Sequence, residues 1–395
     1  MDDAKTDEIN LKTGVHMQNR RKALKTILIT GAVGPTLLKG LPALAAPVAS
    51  LKEAFKNDFR IGAALNKAQI TGQDPRGEAV IASQFNAIAP EDCLKWENIH
   101  PEPERYDFDL ADRYVEFGAK HKMFVVGHVL VWHYQTPAWV FRDAKGNLLN
   151  RDQLLVRMRD HIHTVVNRYK GRIHSWDVIN EPIADDGTMR PSLWYQIIGD
   201  DYIEKAFHFA READPKALLL YNDYSIEYEA KRKGADALIT KLKAVGAPIT
   251  SVGLQGHYAL TEPSIEQLND TITAFGRMGF NVPMTELDIT VLPIPDHKLS
   301  ADLMQAAVQD PALNPYAAGL PDSVQQQLAR RYADLFRIFK NHCGIVDRVS
   351  FWGVTDGDSW KNTYPIRGRT DYPLLFDRTG RPKPAFSSVV QVAGS

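Results

Sequence analysis

The stretch WDVINEP at residues 176–182 decides how the chain is interpreted, because it has the pattern of a buried strand that ends in a carboxylate. Apolar, β-favouring positions lead to the polar pair Asn180-Glu181, and a proline ends the run. A carboxylate at the tip of a buried strand costs free energy of folding, so its presence indicates that it has a partner or a function. A second stretch of the same form, VPMTELDI at residues 282–289, contains Glu286. Two carboxylates on two strand ends are the groups that glycosidic-bond hydrolysis requires.

Eight continuous apolar runs alternate with helical patterns along the chain. Continuous runs favour strands that are buried on both faces, as in a parallel sheet. Eight strand–helix alternations predict an α/β fold, a single (β/α)₈ TIM barrel. The predicted strands span residues 60–65, 85–90, 123–130, 173–181, 217–224, 251–258, 282–289 and 348–356. The clearest helical patterns span residues 154–166, 202–213, 265–278 and 324–339, with the end of a short lead-in helix at 54–57.

Polar or aromatic residues lie at the C-terminal end of nearly every predicted strand. In a TIM barrel these ends open on one face, where active sites form. The pattern therefore predicts an active site at the C-terminal ends of the strands. Residues 292–321 contain five prolines and are too long for a plain turn, so they predict an excursion on the same face.

The neighbours of the two glutamates predict unequal roles for them. Asp288 lies two positions after Glu286, and thus on the same side of its strand, while His257 ends the adjacent predicted strand. A histidine that is hydrogen-bonded to Glu286 and steadied by Asp288 would keep this carboxylate ionised, as a nucleophile requires. Glu181 has no such partner in the sequence and fits the acid/base. A single strand-end glutamate or histidine is more often structural, so the joint pattern carries the prediction.

Composition excludes several other classes of protein. The chain has 395 residues, is 44% hydrophobic and carries a formal net charge of −1. No basic block is large enough to indicate a nucleic-acid partner. Cys93 and Cys343 form neither a C-x-x-C metal spacing nor a disulfide framework, and we predict two buried thiols, with a disulfide as the less favoured alternative. We expect no cofactor and no metal, and we expect a monomer.

The N-terminal residues have the pattern of an export signal. The basic residues at 20–22 precede a moderately apolar run at 26–38, and Ala43-Leu44-Ala45 has the form of an A-x-A cleavage site. We predict an N-terminal extension and signal peptide over residues 1–46, followed by one folded domain over residues 47–395. The paired arginines favour the twin-arginine type, with an ordinary Sec signal as the alternative.

Export would leave a mildly acidic protein in the periplasm or outside the cell. Lys39 breaks the apolar run, so we expect no stable membrane span after cleavage. Residues 1–46 carry seven basic and four acidic residues, so their removal gives a net charge of −4. Met17 is an alternative start of the chain.

The two glutamate stretches resemble the catalytic signatures of glycoside hydrolase family 10, the endo-β-1,4-xylanases. The resemblance extends over nearly the whole predicted domain, from Ile61 to about Phe386. It includes GHVLVWHYQTPAW at residues 127–139, GLQGH at 253–257 and FWGVTD at 351–356. The resemblance implies a TIM barrel that cleaves internal β-1,4-xylosidic bonds of xylan or xylo-oligosaccharides.

The resemblance also implies roles for individual residues. It implies retention by double displacement, with Glu181 as acid/base and Glu286 as nucleophile, and it implies that His257 and Asp288 tune the nucleophile. Tyr224 would stack on the sugar beyond the cut. The remaining side chains that it assigns to substrate binding are Glu91, Lys95, His128, Trp132, Gln135, Asn180, Gln255, Trp352 and Trp360. We expect three further tryptophans, Trp96, Trp139 and Trp176, to pack in the core.

Two residues depart from the family pattern. Asp92 stands where an asparagine is usual, and a carboxylate in place of an amide removes hydrogen-bond donors. We therefore expect the distal sugar site to differ. Tyr134 stands where a smaller residue is common. The alternatives to a xylanase are a β-1,4-glucanase on the same barrel and a catalytically inactive barrel that binds carbohydrate.

Overall fold

The β-strands form a closed parallel barrel with helices between them. The computed structural model describes residues 50–293 and 310–394, and it groups them in one compact unit. The predicted export signal at residues 1–46 lies outside the described residues, as do residues 294–309 of the predicted excursion. The strand order is β6-β5-β4-β3-β2-β1-β9-β8-β7, with a further pairing of β6 to β8. The strands are β1 Arg60–Leu65, β2 Ala87–Pro90, β3 Phe124–Val131, β4 Ser175–Asn180, β5 Leu218–Asp223, β6 Ser251–Leu254, β7 His257–Ala259, β8 Met284–Thr290 and β9 Arg348–Phe351.

These nine segments correspond to the eight predicted barrel strands, because the sixth strand is divided. Leu254 pairs with Met284, whereas His257 pairs with Asp288, so the register shifts by one residue between β6 and β7. Gly256 lies at this shift with φ +81°, a conformation that glycine adopts without steric cost. The prediction of one continuous strand over 251–258 was therefore wrong in this detail, although the predicted barrel is confirmed.

The helices lie on the outside of the barrel and bury one apolar face each. Three of them begin with reciprocal capping boxes, at Asn66, Asn150 and Ser264, in which two backbone N–H groups of the first turn gain partners. The helices are α1 Leu51–Ala54, α2 Lys67–Ile70, α3 Pro75–Gln84, α4 Trp96–Ile99, α5 Asp109–Lys120, α6 Arg151–Arg168, α7 Leu193–Ile198, α8 Tyr202–Ala213, α9 Glu229–Ala244, α10 Ile265–Arg277, α11 Asp322–Asn341 and α12 Pro384–Ala393. The helix predicted over residues 202–213 is confirmed, because α8 has the same first and last residues.

The eighth barrel strand is shorter than predicted. It ends at Phe351, where the sequence pattern continues to residue 356. Trp352 is still buried, but Gly353 has φ +130°, and this glycine turns the chain out of the sheet. The turn leads into the segment that carries Trp360.

One of the two cysteines contradicts the prediction of buried thiols. Both are free, and Cys93 is buried, but Cys343 is exposed. Cys343 follows the end of α11 in a turn that runs over the surface before β9, so the apolar residues around it in sequence do not cover it. Within residues 50–293 and 310–394 the structure has no helix long and apolar enough to cross a membrane.

Candidate active site

Glu181 follows β4 directly and has a backbone conformation that few side chains adopt. Its φ is +56°, in the left-handed region, which costs an L-residue roughly 1–2 kcal/mol. Its N–H donates to the Asn222 carbonyl at 2.9 Å, and its own carbonyl accepts from Arg190 Nε at 2.8 Å. The backbone of Glu181 is thus held on both sides.

The carboxylate of Glu181 accepts three hydrogen bonds from uncharged donors. Trp132 Nε1 donates to Oε2 at 3.0 Å. Asn180 Nδ2 and Gln255 Nε2 donate to Oε1 at 3.1 and 3.0 Å. The sequence indicated only the neighbouring Asn180, so the structure adds two partners, Trp132 directly after β3 and Gln255 in the break between β6 and β7.

The carboxylate of Glu286 lies in β8 and has a charged partner. His257 Nε2 donates to its Oε2 at 3.1 Å, and Asn222 Nδ2 donates to its Oε1 at 2.8 Å. His257 Nδ1 lies 3.1 Å from Asp288 Oδ1, so the imidazole ring bridges the two carboxylates. This bridge follows from the parallel register, which pairs His257 with Asp288.

The charges around His257 hold it as an imidazolium. Burial alone would lower the pKa of His257, but Asp288 and Glu286 raise it to about 9. Asp288 is fully buried; burial opposes its ionisation, but Lys361 and His257 hold its pKa below the usual value. Lys361 Nζ lies 3.3 Å from Asp288 Oδ1, and Trp360 Nε1 donates to Oδ2 at 2.8 Å.

Amide side chains connect the two glutamates. Asn222 Nδ2 donates to Asn180 Oδ1 at 2.9 Å as well as to Glu286. Thr285 Oγ1 donates to Asn222 Oδ1 at 2.6 Å, which fixes the orientation of that amide. Gln255 Nε2 also reaches Asn180 Oδ1, at 3.2 Å. The carboxylates of Glu181 and Glu286 therefore share one hydrogen-bond network across β4, β5 and β8.

Lys95 lies beside Trp132, and its charge also acts on Glu91. Lys95 is buried, its Nζ lies 2.8 Å from Asp92 Oδ1, and it lies 5.4 Å from the ring centre of Trp132. Burial and the Asp92 charge raise the pKa of Glu91 to about 7. The Asp92 that departs from the family pattern is thus an ion-pair partner of Lys95.

His128 is almost completely buried at the floor of the site. Its Nδ1 donates to Asp177 Oδ2 at 2.9 Å, and the paired register of β3 and β4 places these two residues opposite each other. Its ring meets Trp352 edge-on, with centroids 5.3 Å apart. The bond from Nδ1 to Asp177 therefore fixes the orientation of the His128 ring, and Nε2 is the ring nitrogen that remains for another partner.

Gln135 and Tyr224 form hydrogen bonds with residues other than the two glutamates. Gln135 has φ +47° and donates from Nε2 to Glu97 Oε1 at 2.7 Å. Tyr224 follows β5, and its hydroxyl contacts Arg190 and Asp185. Neither side chain has a hydrogen bond to Glu181 or Glu286 in the described structure.

Trp360 forms one wall of the site and contacts a second aromatic residue. Its ring stacks on Tyr364, with centroids 5.3 Å apart and planes inclined by 19°, and lies 4.9 Å from the His257 ring. The tryptophans expected in the core lie there: Trp96 and Trp176 are buried, and Trp139 is partly buried against the core cluster.

Several residues that connect the candidate site could not be predicted from sequence patterns. Asn222 was recognisable only as a polar residue at a strand end. Lys361 and Arg190 come from loops, where no periodicity predicts the direction of a side chain. Within the described ranges no three His, Cys, Asp or Glu side chains converge in an arrangement suited to a metal ion.

Comparison with known proteins gives consistent matches over most of the chain. The family model described as glycosyl hydrolase family 10 matches residues 50–392. Endo-1,4-beta-xylanase A of Xylanibacter ruminicola is 42% identical, over 90% of this chain and 96% of its own length. An endo-1,4-beta-xylanase of Geobacillus stearothermophilus is 41% identical, over 87% and 99%. A solved GH10 endoxylanase retrieved from a sugarcane soil metagenome superposes with a TM-score of 0.82 at 44% identity, covering 87% of this chain and 99% of that one.

Proposed function

The chain belongs to glycosyl hydrolase family 10 and is an endo-1,4-β-xylanase, and on this premise we propose that it acts by retaining double displacement, with Glu286 as nucleophile and Glu181 as acid/base. The observation that carries the proposal is the unequal pairing of the two carboxylates. Glu286 is hydrogen-bonded to the imidazolium of His257, whereas the side chains that donate hydrogen bonds to the Glu181 carboxylate in the described part of the chain are uncharged. A nearby cation favours an ionised carboxylate, so Glu286 is suited to attack.

In the first step Glu286 attacks the anomeric carbon while Glu181 protonates the glycosidic oxygen. The bond between that carbon and the oxygen breaks, and the sugar beyond the cut leaves with the proton of Glu181. The products are a covalent xylosyl ester on Glu286 and an ionised Glu181. The hydrogen bonds from Trp132, Asn180 and Gln255 stabilise this ionised form.

In the second step Glu181 removes a proton from water, and the resulting hydroxide equivalent attacks the anomeric carbon. The ester bond to Glu286 breaks, and both carboxyl groups return to their starting states. Two inversions at one carbon give net retention. His257 stabilises the negative charge that returns to Glu286, and Asn222 donates to the same carboxylate.

The residues around the network are proposed to hold the sugar. His128, whose Nδ1 is bonded to Asp177, is proposed to form a hydrogen bond with a sugar hydroxyl through Nε2, and Lys95 is proposed to donate to a sugar hydroxyl. Trp352 and Trp360 form apolar walls, and xylose lacks the C5 hydroxymethyl group that such walls would exclude. The other proposed contacts are Glu91, Trp132, Gln135, Asn180 and Gln255, with Tyr224 at the sugar beyond the cut.

Substitution of the two glutamates combined with a change of leaving group tests the assignment. We expect E286A to abolish turnover of every substrate, because no ester can form. We expect E181A to lose most activity on xylan and on phenyl xylobioside but to retain ester formation from 2,4-dinitrophenyl xylobioside, whose leaving group needs little protonation. The burst of dinitrophenolate measures that step, and E102A, which removes an exposed carboxylate, is the matched control.

Two outcomes would contradict the assignment. Substantial turnover by E286A would exclude Glu286 as the nucleophile. Equal loss by E181A on good and poor leaving groups would exclude Glu181 as the acid. Either outcome would change the roles assigned to the two glutamates, but not the conclusion that the chain is a xylanase.

We also propose that residues 1–46 export the enzyme, which suits a polymeric substrate outside the cell. The support is the sequence pattern of paired arginines, apolar run and A-x-A site. Sequencing the N-terminus of enzyme recovered outside the cytoplasm should place the start near Ala46, and R20K/R21K should block export if the twin-arginine route is used. Recovery of the full-length chain from the cytoplasm alone would contradict export.

A further inference from the structure

The loop after β4 folds back so that its end lies beside its beginning. Arg190 N–H donates to the Pro182 carbonyl at 2.7 Å, and Ile183 and Met189 form an antiparallel bridge. The side chain of Arg190 is therefore returned to the end of β4, where Glu181 adopts its left-handed conformation.

The guanidinium of Arg190 makes three contacts, and each has a different partner. Nε donates to the Glu181 carbonyl at 2.8 Å. Nη2 donates to the Ile183 carbonyl at 3.1 Å and to the Tyr224 hydroxyl at 3.0 Å. A guanidinium is planar and rigid, so one side chain fixes three groups relative to each other, which a lysine ammonium does not do.

Tyr224 is itself held on several sides. Its hydroxyl donates to Asp185 Oδ1 at 2.8 Å, and its N–H donates to Asp223 Oδ1 at 2.9 Å. The ammonium of Lys231, which is buried and paired with Asp223 at 2.9 Å, lies 3.1 Å from the centre of the Tyr224 ring. The ring is thus fixed from one face, and Arg190 connects its hydroxyl to the backbone of Glu181.

From this geometry we infer that Arg190 is a positioning residue, which couples Tyr224 to the backbone of Glu181 and so aims the acid/base carboxylate at the leaving oxygen. The inference rests on the proposed roles of Glu181 and Tyr224. Arg190 touches no reacting atom. It opposes relaxation of the left-handed backbone at Glu181, and a sugar stacked on Tyr224 stabilises the same arrangement.

The inference makes a prediction that a general loss of stability does not make. Misplacement of an acid slows reactions in proportion to the protonation that the leaving group needs. R190Q should therefore lower kcat/KM for phenyl xylobioside by about tenfold to a hundredfold, the range that small misplacements produce. Its effect on 2,4-dinitrophenyl xylobioside should be under about threefold, because that step needs little acid assistance.

Two further variants sharpen the test. R190K keeps the charge but not the planar fork, so we expect it to recover only part of the lost activity. R211Q is the matched control, because Arg211 is similarly half-buried and donates to backbone carbonyls, including those of Pro215 and Ala217, at the opposite end of the barrel. R211Q should lower stability without changing the ratio of the two substrates.

The coupling to Tyr224 is tested by a double-mutant cycle. Y224F removes the hydroxyl that contacts Arg190 and keeps the ring. If Arg190 and Tyr224 act together, R190Q should lower kcat/KM for phenyl xylobioside by a smaller factor in the Y224F background than in the parent enzyme. Strictly additive effects would overturn the coupling.

The outcomes separate this inference from the proposed function. If E181A shows the expected dependence on the leaving group but R190Q and R190K slow both substrates equally, the positioning role is wrong and the acid/base assignment stands. If E181A itself shows no such dependence, the acid/base role proposed for Glu181 is wrong, and the inference about Arg190 loses its basis. Urea unfolding of each variant identifies effects that come from stability alone, and R190K remains informative if R190Q does not fold.

Discussion

At Glu181 and Glu286 the same chemical group lies in two different environments. Neutral N–H donors lower the energy of an ionised Glu181 modestly, whereas Glu286 contacts an imidazolium that also pairs with Asp288. The difference arises because one carboxylate follows a strand and the other lies within a strand whose neighbour supplies His257. The proposed acid/base and the proposed nucleophile can thus be the same residue type.

The paired imidazolium predicts a specific dependence of stability on pH. The folded pKa of His257, about 9, lies above its value in the unfolded chain, about 6.5, so its contribution is fully present below about pH 6.5 and is lost as pH rises through 9. This rise corresponds to roughly 3 kcal/mol. H257N should therefore be less stable than the parent enzyme at pH 6 by up to about 3 kcal/mol, with a difference that shrinks toward pH 10.

Urea unfolding at pH 6, 8 and 10 measures this difference. H208N provides the control, because His208 is half-exposed on α8 and lies outside the site. A difference between H257N and the parent enzyme that stays constant over the pH range would show that His257 acts through packing alone, and would contradict its role as a charged bridge.

The residues of the site differ in how far the sequence could predict them. Asp288 follows Glu286 by two positions in one strand, so the period of a strand places both on one side. His257 was predictable from the neighbouring strand end. Arg190 and Lys361 belong to loops, whose course depends on tertiary contacts that no short-range pattern records.

At the scale of elements, the register of β3 and β4 assembles the floor of the site. Gly127 pairs with Trp176 and His128 with Asp177, so one register sets both a packing contact and a hydrogen bond. A Cβ added at Gly127 would lie 2.1 Å from the Trp176 ring, and that ring is buried. The glycine is therefore needed for the strands to approach each other at this tryptophan.

We predict that G127A destabilises the protein by about 1–3 kcal/mol, the usual range for overpacking in a core. The movement that accommodates the methyl group should also shift His128, so kcat/KM on xylobiosides should fall below that of the parent enzyme. G344A is the control, because a Cβ at Gly344 meets no atom within 4 Å. Urea unfolding midpoints check the first expectation, and equal stability of G127A and the parent enzyme would show that Trp176 has an alternative position.

The extent of the strands illustrates the limit of periodicity. The apolar run over 251–258 is continuous in sequence, yet the structure divides it because Gly256 takes a conformation that the run does not reveal. The division matters for function, since it places Gln255 beside Glu181 and His257 beside Glu286. Local propensity predicted the strand, and the bulge within it was set by the pairing to β8.

At the scale of the whole molecule, closure of the barrel and the active site depend on different residues. The chain closes where β1 pairs with β9, and the terminal helices α1 and α12 pack beside α11 over this junction. Phe55 and Phe336 lie with ring centroids 5.2 Å apart in this region. None of these residues contacts the network of Glu181 and Glu286 in the described structure, which separates stability from chemistry.

This separation predicts that truncation of Phe386 costs stability without changing the reaction. Phe386 on α12 is 4% exposed and packs against Phe376, with centroids 5.3 Å apart. F386A should therefore destabilise the enzyme by about 3–5 kcal/mol, as removal of a buried phenylalanine usually does. At a temperature where the variant is still folded, kcat and KM on xylan should equal those of the parent enzyme. S387A, at the exposed neighbouring position, should change neither property. A fall in kcat for folded F386A would instead mean that α12 transmits strain through β9 to Trp352 and Trp360, so that closure of the barrel and catalysis would be one cooperative property.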